Sequence, residues 1–193
     1  MKKLVVVSLA VVLLVGVAAL AQEAAAPSKN PVADTARQIF TGQQRNLVAA
    51  AEQMPAEKYG FHPTDGQMPY SQLMAHVATS NAFLCERIGG TPAPASLQVK
   101  PEDGKDKIVA ALKASFDYCA EALKNLDDSK LGDEVPAFRG AKRPRAWAVF
   151  ALTNDFADHY SAAASYLRAA GMLPPSAQPR PAAAPAAAPK PPQ

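Results

Sequence analysis

Four stretches of the chain place apolar residues every three or four positions, which is the spacing of an amphipathic helix. The stretches between them lack the strict alternation of apolar and polar residues that marks a half-buried strand. Proline or glycine stands beside most of the predicted ends, where these residues start or stop helices. The pattern predicts helices over about Pro31–Gln53, Pro69–Ile88, Lys105–Leu126 and Pro144–Ala170.

The segments between these helices differ in length and composition. Residues 56–68 and 127–143 contain Pro, Gly and Asp, and we interpret both as loops. Residues 91–101 contain three prolines and no apolar period, which suits a long crossover better than a tight hairpin. Four amphipathic helices with one long connection predict an all-α fold, a four-helix bundle.

Both ends of the chain fall outside the bundle, which we assign to residues 31–173. Residues 1–21 combine two lysines, an uncharged run and a small-x-small ending at Ala21, the pattern of a secretory signal peptide. An uncleaved N-terminal anchor is the alternative, because the apolar run is long enough to span a membrane. Residues 22–30 are predicted to be a flexible leader. Residues 174–193 contain many prolines and neither aromatic nor large aliphatic residues, so we expect a disordered tail.

The charge of the chain comes from its ends. The formal net charge is +3, yet residues 31–173 hold 15 Lys and Arg against 16 Asp and Glu. A nearly neutral domain lacks the basic surface on which nucleic-acid binding depends, so we expect no nucleic-acid partner. After cleavage of the signal peptide we expect no membrane association, and the protein would be exported to the periplasm or secreted.

Two cysteines, Cys85 and Cys119, allow one disulfide bond in an exported protein. Two buried free thiols are the alternative, since Cys packs as a small apolar residue. The exported compartment favours the bond.

Two residues that could bind a metal ion interrupt the apolar face of the fourth helix. Asp155 and His159 are four residues apart, so they project from the same face. His76 lies on the apolar face of the second helix, near Leu73 and Val77. An ionised Asp that faces a core is costly unless it is paired or coordinated. The residues therefore fit either a metal site or an Asp–His ion pair.

Other polar residues are assigned less specific roles. We interpret His62 as a surface or packing residue, with a fourth metal ligand as the alternative. Asp158 is turned about 100° from His159, so we expect it to be solvated or to contact the metal ligands from outside. Trp147 is expected to anchor the core or its rim. A basic cluster before the fourth helix is either a solvated loop or a site for an anion, and consists of Arg139, Lys142, Arg143 and Arg145.

Three motifs in order resemble a known family. LMAHVATSNAFLCERI (73–88) and NDFADHYSAAASYLRAAGMLPP (154–175) resemble the second and closing helices of the DinB-like superfamily of bacterial metal-binding bundles. YGFHPT (59–64) resembles the short Phe-x-Pro segment before helix two of that family. The similarity covers about residues 33–175. It implies an up-down-down-up bundle with a long connection between helices two and three.

The resemblance also implies a metal site. The family commonly binds a divalent metal ion through one His in helix two and two His spaced by four in helix four. His76 and His159 match the first and last positions, and Asp155 stands where the family has the middle His. A carboxylate can replace an imidazole at zinc and other divalent sites, so zinc or nickel remains the expected cofactor.

Two functions follow as hypotheses. The first is an exported metal-dependent hydrolase of an unknown small molecule, with His76, Asp155 and His159 as ligands. The second is a non-catalytic exported bundle that binds a ligand or partner and has a degraded metal site. Bundles of this size often pair through an exposed apolar helix face, which allows a homodimer.

Overall fold

The computed structural model describes residues 27–179. The predicted signal peptide and most of the leader and tail lie outside this range. The predicted all-α four-helix bundle is confirmed, with helices α1 Pro31–Gln53, α2 Tyr70–Gly89, α3 Lys105–Lys124 and α4 Arg145–Ala169. Within the described residues, no helix combines the length and apolar character that crossing a membrane requires.

Helices α2 and α3 are parallel neighbours. Asn81 Nδ2 donates a hydrogen bond to Ser115 Oγ at 3.0 Å. One turn further along both helices, Cys85 and Cys119 form a disulfide bond with a Cα–Cα distance of 5.1 Å. Because both contacts advance in the same direction, the two helices run parallel. The sequence allowed either a disulfide or two free thiols, and the structure contains the disulfide.

Helices α1 and α3 run antiparallel. Arg37 in the second turn of α1 donates from Nη1 to Leu123 O near the end of α3, at 2.6 Å. At the other end, Lys105 Nζ at the start of α3 donates to Glu52 O near the end of α1, at 2.7 Å. Both side chains bring positive charge to a helix C-terminus, where the helix dipole favours it.

Helices α2 and α4 are also antiparallel. Tyr166 near the end of α4 donates from its hydroxyl to Met68 O, just before α2, at 2.7 Å. Arg145 at the start of α4 donates from Nη1 to Arg87 O, in the last turn of α2, at 3.0 Å. With α2 parallel to α3 and antiparallel to α4, and α1 antiparallel to α3, the topology is the expected up-down-down-up.

The parallel pair α2 and α3 requires the long connection that the sequence predicted. Residues 90–104 run from the C-terminal end of α2 back to the level where α3 begins, and contain two single turns of 3-10 helix, Ala95–Leu97 and Pro101–Asp103. Leu97 and Val99 are buried, so the connection is packed against the bundle. Gly90 and Gly104 have positive φ angles of 76° and 80°, which allow the chain to turn at both ends.

The segment predicted as a loop before α4 contains a small β-ribbon. Strands β1 Glu134–Pro136 and β2 Lys142–Pro144 pair antiparallel, with Val135 opposite Arg143. The prediction of no strand is wrong here because each strand has three residues and only Val135 of the six is buried, too few to show an alternation. Arg139 and Gly140 at the tip have φ angles of 58° and 75°.

The core lies between the four helices and has an aromatic centre. The ring of Phe40 contacts Phe116 and Phe156 edge-on, at centroid distances of 5.7 and 5.9 Å. Two buried tyrosines, Tyr59 and Tyr70, donate their hydroxyls to carbonyl oxygens in the last turn of α1, at 2.6 and 2.8 Å. Burial raises the pKa of both phenols above their ordinary value.

Two segments outside the helices are held by specific contacts. The carboxylate of Asp128 accepts hydrogen bonds from the N–H groups of Val32 and Ala33, at 2.9 and 2.8 Å, and so caps the N-terminus of α1. Residues 174–179 form a short turn, in which Ser176 N donates to Tyr160 Oη at 2.8 Å. The packed part of the chain therefore extends past the predicted boundary at residue 173.

Candidate metal centre

The antiparallel packing of α2 and α4 brings His76, Asp155 and His159 together. Each of the three offers one ligand atom, and these atoms all lie within 4.8 Å of one another. The rings of His76 and His159 face each other with a centroid distance of 4.8 Å and an interplanar angle of 38°. The three residues proposed from the sequence thus form one cluster between two helices.

A hydrogen bond fixes the orientation of His159. Its Nδ1 lies 2.7 Å from the backbone oxygen of Asp155, one turn earlier in α4. A carbonyl oxygen only accepts hydrogen bonds, so Nδ1 is the donor, and in the neutral imidazole Nε2 keeps its lone pair. Histidine ligands of metal ions are commonly oriented in this way, with one nitrogen donating and the other free to coordinate. Only 12% of the His159 side chain is exposed.

Asp155 has a carboxylate oxygen without a partner. Its side chain is 18% exposed, and among the described residues the buried Oδ2 has no hydrogen-bond donor. The other oxygen, Oδ1, is 3.5 Å from His159 Nδ1, longer than an ordinary hydrogen bond. A buried acceptor left unsatisfied is costly, and a cation at the cluster would satisfy it.

His76 differs from the prediction. The sequence pattern assigned it to the apolar face of the second helix, but the residue is exposed, whereas Leu73 and Val77 beside it are buried. Helical periodicity identifies the side of α2 that faces the bundle, but His76 lies at the margin of that side, where α4 does not cover it. The cluster therefore has two shielded members and one that opens to solvent, which gives a small molecule access.

The donor set fits a divalent metal ion. Two imidazole nitrogens and one carboxylate oxygen are ligands that zinc and nickel accept. Ligand atoms at about 2.1 Å from one tetrahedral ion lie about 3.4 Å apart. A separation of 4.8 Å, the upper limit within the cluster, would have to close by about 1.4 Å to reach this value.

The remaining polar candidates lie away from the cluster. His62 is exposed, and its Nδ1 lies 2.9 Å from Thr64 O in the same loop. Asp158 is exposed on α4, as its angle from His159 predicted. Among the described residues, the group of three His, Cys, Asp or Glu side chains that could hold a metal ion is the one formed by His76, Asp155 and His159.

The structure separates the predicted basic cluster into one half-buried side chain and three exposed ones. Arg145 is half-buried and structural, since its Nη1 also donates to Ile88 O at 2.5 Å and its Nη2 lies 3.6 Å from Asp133 Oδ2. Arg139, Lys142 and Arg143 are exposed on the ribbon. Phe138, an exposed aromatic residue beside them, was not predicted as a site residue, although its position before Arg139-Gly140 could have indicated a turn tip.

Similarity to known proteins agrees with the helical bundle and with the motifs described above. Residues 39–163 match the family model described as the DinB superfamily. No curated protein matches the sequence. Among solved structures, a conserved protein from Enterococcus faecalis is 15% identical with a TM-score of 0.59, over 72% of this chain and 96% of that one.

A second similar structure is a mycothiol-dependent maleylpyruvate isomerase, 16% identical with a TM-score of 0.53, and its histidine-to-alanine mutant is 15% identical with a TM-score of 0.56. Both alignments cover 67% of this chain and 59% of the isomerase, so the chain spans less than two thirds of that enzyme. At 15% and 16% identity, this similarity supports a shared fold alone.

Proposed function

The chain belongs to the DinB superfamily, and from that premise we propose that it is an exported protein that binds a divalent metal ion and uses it to hydrolyse a small molecule. His76, Asp155 and His159 are the proposed ligands. Zinc or nickel is the proposed metal.

One observation carries the metal-binding proposal. Asp155 Oδ2 is buried, has no hydrogen-bond donor among the described residues, and belongs to a cluster with two imidazoles. A purely structural aspartate at this depth would be expected to have a donor for each buried oxygen. A cation bound between the three side chains would supply the partner that Asp155 Oδ2 lacks.

The geometry of the other two ligands supports the same proposal. The hydrogen bond from His159 Nδ1 to Asp155 O leaves Nε2 of the neutral imidazole free to coordinate, and the exposed His76 can close over the ion from the solvent side. A divalent ion with three protein ligands supplies Lewis-acid polarisation of a substrate and activation of water. The exposure of His76 leaves the approach for a substrate open.

Hydrolysis is proposed over thiol-dependent chemistry because of the proposed location. The similar isomerase is named as mycothiol-dependent. Free thiols are kept reduced in the cytosol, whereas an exported protein meets an oxidising compartment, so we do not extend thiol dependence to this chain. Export is supported by the signal-like pattern of residues 1–21 and by the disulfide between Cys85 and Cys119, since such bonds persist in oxidising compartments.

Metal content tests the proposal. We expect protein purified without added metal or a chelating tag to carry about one equivalent of a divalent ion by plasma mass spectrometry. The variant His159→Ala should lose it, and His62→Ala, which removes a His outside the cluster, should retain it. Absence of metal from all three proteins after dialysis against zinc and nickel would contradict the ligand assignment.

A non-catalytic bundle is the second candidate, and one distance favours it. Asp155 Oδ1 is 3.5 Å from His159 Nδ1, close enough for a weak ion pair if the imidazole is protonated. In that case the pair links two successive turns of α4 without a metal. His159→Ala would then lower the free energy of unfolding by the same amount with and without added zinc.

Mass analysis of the exported protein tests the location. Cleavage after Ala21 predicts a mature chain that begins at Gln22, found outside the cytoplasm. Recovery of the full chain in the membrane fraction would instead support the uncleaved anchor.

A further inference from the structure

A second cluster lies in the same seam between α2 and α4. Phe138, at the tip of the β-ribbon, has 62% of its surface exposed. Its ring stacks on Phe83 of α2, with centroids 4.5 Å apart and planes 9° from parallel. The ring of Trp147 in α4 lies nearly perpendicular to the Phe138 ring, with centroids 5.8 Å apart and an interplanar angle of 86°. Phe138 thus bridges the two helices that also carry the candidate metal ligands.

Two guanidinium groups complete this cluster. Arg87 Cζ lies 3.4 Å from the centroid of the Phe83 ring, and it must occupy the face opposite Phe138 because the stacked ring covers the other one. Arg143 Cζ lies 5.9 Å from the centroid of Trp147. We refer to the five residues as the aromatic–arginine layer: Phe83, Arg87, Phe138, Arg143 and Trp147.

The backbone that presents Phe138 is strained. Arg139 has a φ of 58°, an uncommon conformation for a residue with a long side chain, and Gly140 follows with a φ of 75°. Ala141 N donates to Phe138 O at 3.2 Å and closes the turn. Non-glycine residues with positive φ concentrate at binding sites, where the surrounding structure holds them in place. The turn holds an aromatic ring in solvent and places a cation next to it.

The surroundings of the layer carry an excess of positive charge. Arg139, Lys142 and Arg143 project from the ribbon. The carboxylates nearby are engaged elsewhere: Glu134 Oε2 is 3.7 Å from Lys142 Nζ, and Asp133 pairs with Arg145. Among residues 27–179, no carboxylate forms an ion pair with Arg139 or Arg143, so these two cations can attract an anion to the exposed face of Phe138.

The spacing to the metal cluster is fixed by the helices. Phe83 is seven residues after His76 in α2, which corresponds to about 10 Å along the axis. Trp147 is eight residues before Asp155 in α4, or about 12 Å. Seven residues are two helical turns, so His76 and Phe83 share one side of α2. A molecule about 10 Å long can therefore contact both clusters.

We propose that the aromatic–arginine layer is a binding site for a small molecule that carries an anionic group on an aromatic ring. The ring stacks on the exposed face of Phe138, and Arg143 and Arg139 bind the attached phosphate or carboxylate. The layer thereby selects substrates of this class for the metal cluster, a second step that rests on the proposed function. Binding at the layer itself requires no metal.

Trp147 is the single tryptophan of the chain, so its fluorescence reports on the layer. We expect phenyl phosphate to change the Trp147 emission saturably in protein treated with a chelator. Cyclohexyl phosphate, which lacks the ring, and benzyl alcohol, which lacks the charge, should each bind about three- to tenfold more weakly, since stacking and charge each contribute about 1 kcal/mol. Equal affinity for phenyl and cyclohexyl phosphate would overturn the proposal.

Two matched pairs of variants test the residues. Phe138→Ala should weaken phenyl phosphate binding at least fivefold, whereas Phe150→Ala, an equally exposed Phe at 61% between α1 and α4, should leave it unchanged. Arg143→Ala should likewise weaken binding, and the exposed Arg168→Ala should not. Both replaced layer residues are exposed, so the variants should fold, which circular dichroism checks. Equal effects within either pair would contradict the site.

The variant His159→Ala separates this site from the proposed function. If it loses metal but still binds phenyl phosphate like the wild type, the layer is an independent site, as proposed. If its affinity for phenyl phosphate falls as far as that of Phe138→Ala, the phosphate binds at the metal cluster and the layer is not the site.

Discussion

At the scale of single residues, Asp155 should lower the free energy of unfolding of the metal-free protein while it serves as a proposed metal ligand. Its buried Oδ2 lacks a donor among the described residues, and its Oδ1 is beyond ordinary hydrogen-bond distance from His159. Residues that bind ligands often destabilise the free protein in this way. The cost should therefore be measurable when the metal is absent and should be offset when it is present.

Asp155→Asn removes the charge and keeps the shape of the side chain. Without metal, we expect the free energy of unfolding to rise by about 1 kcal/mol, because an uncompensated buried charge is lost. With zinc, the wild type should gain more stability than the variant. Urea unfolding with chelator and with zinc measures both effects, and the exposed Asp158→Asn is the control. A less stable Asp155→Asn protein in chelator would contradict the interpretation.

Tyr70 gives a prediction for alkaline pH. Its phenol is buried, and burial raises its pKa above the ordinary value of 10. In the unfolded chain the phenol ionises above pH 10, while in the folded protein it remains neutral. The stability is therefore fully present below pH 10 and falls above it, by about 1.4 kcal/mol per pH unit for each such tyrosine.

The variant Tyr70→Phe tests this assignment. It loses the hydrogen bond to Ala50 O, so it should be less stable at pH 8 by about 1 kcal/mol. Between pH 10 and 11 its stability should fall less steeply than that of the wild type. Urea unfolding at pH 8, 10 and 11 gives both quantities, and an unchanged slope would show that Tyr70 does not ionise on unfolding.

At the scale of elements, charged side chains from distant segments cap the helix ends. Asp128 accepts two N–H groups at the start of α1, Arg37 donates to the last carbonyls of α3, and Arg145 donates to those of α2. Each charge has the sign that the helix dipole favours at that end. The caps therefore fix the relative positions of helices as well as their lengths.

Asp128→Ala should destabilise the protein by about 1–2 kcal/mol, because two N–H groups of α1 lose their acceptor. Thermal unfolding measures the loss, and Asp158→Ala, an exposed Asp on α4, should change stability by less than about 0.5 kcal/mol. Asp128→Asn keeps an acceptor and should recover part of the loss. Equal stability of the Asp128→Ala protein and the wild type would indicate that water replaces the cap.

Helix boundaries were predictable where the local sequence determines them. The first helix begins at Pro31 and ends before Met54-Pro55, as predicted, because proline acts on the backbone next to it. The cap from Asp128 was not predictable, since it lies 96 residues from Val32 and only the folded chain brings them together. The prediction that His76 lies on the apolar face of α2 failed for the same reason. The periodicity of one helix does not show how far a neighbouring helix covers it.

The sequence predicted the structure of the loops less well than that of the helices. The ribbon strands are too short for a pattern, so the aromatic–arginine layer that rests on Phe138 was missed. The spacing of Asp155 and His159 within one helix predicted their shared face, but their approach to His76 required the antiparallel contact of α2 and α4. The family resemblance supplied that contact before the structure did.

At the scale of the whole molecule, the disulfide joins the two parallel helices α2 and α3, which the crossover at residues 90–104 connects. Cys85 and Cys119 are 34 residues apart, and closing a loop of this length restricts the unfolded chain. Replacing both with Ala should lower the free energy of unfolding by about 3–4 kcal/mol. Urea unfolding of the variant against the oxidised wild type measures the loss, and a loss below 1 kcal/mol would contradict this estimate.

The same bond also determines how the molecule responds to a protease. The crossover at residues 90–104 lies entirely between the two cysteines, so a single cut there yields two fragments that remain covalently joined. The aromatic core and the hydrogen bond between Asn81 and Ser115 would still hold the fragments in register. A nicked protein would migrate as one band until it is reduced, and it would keep both α2 and α4 at the seam where the ligands meet.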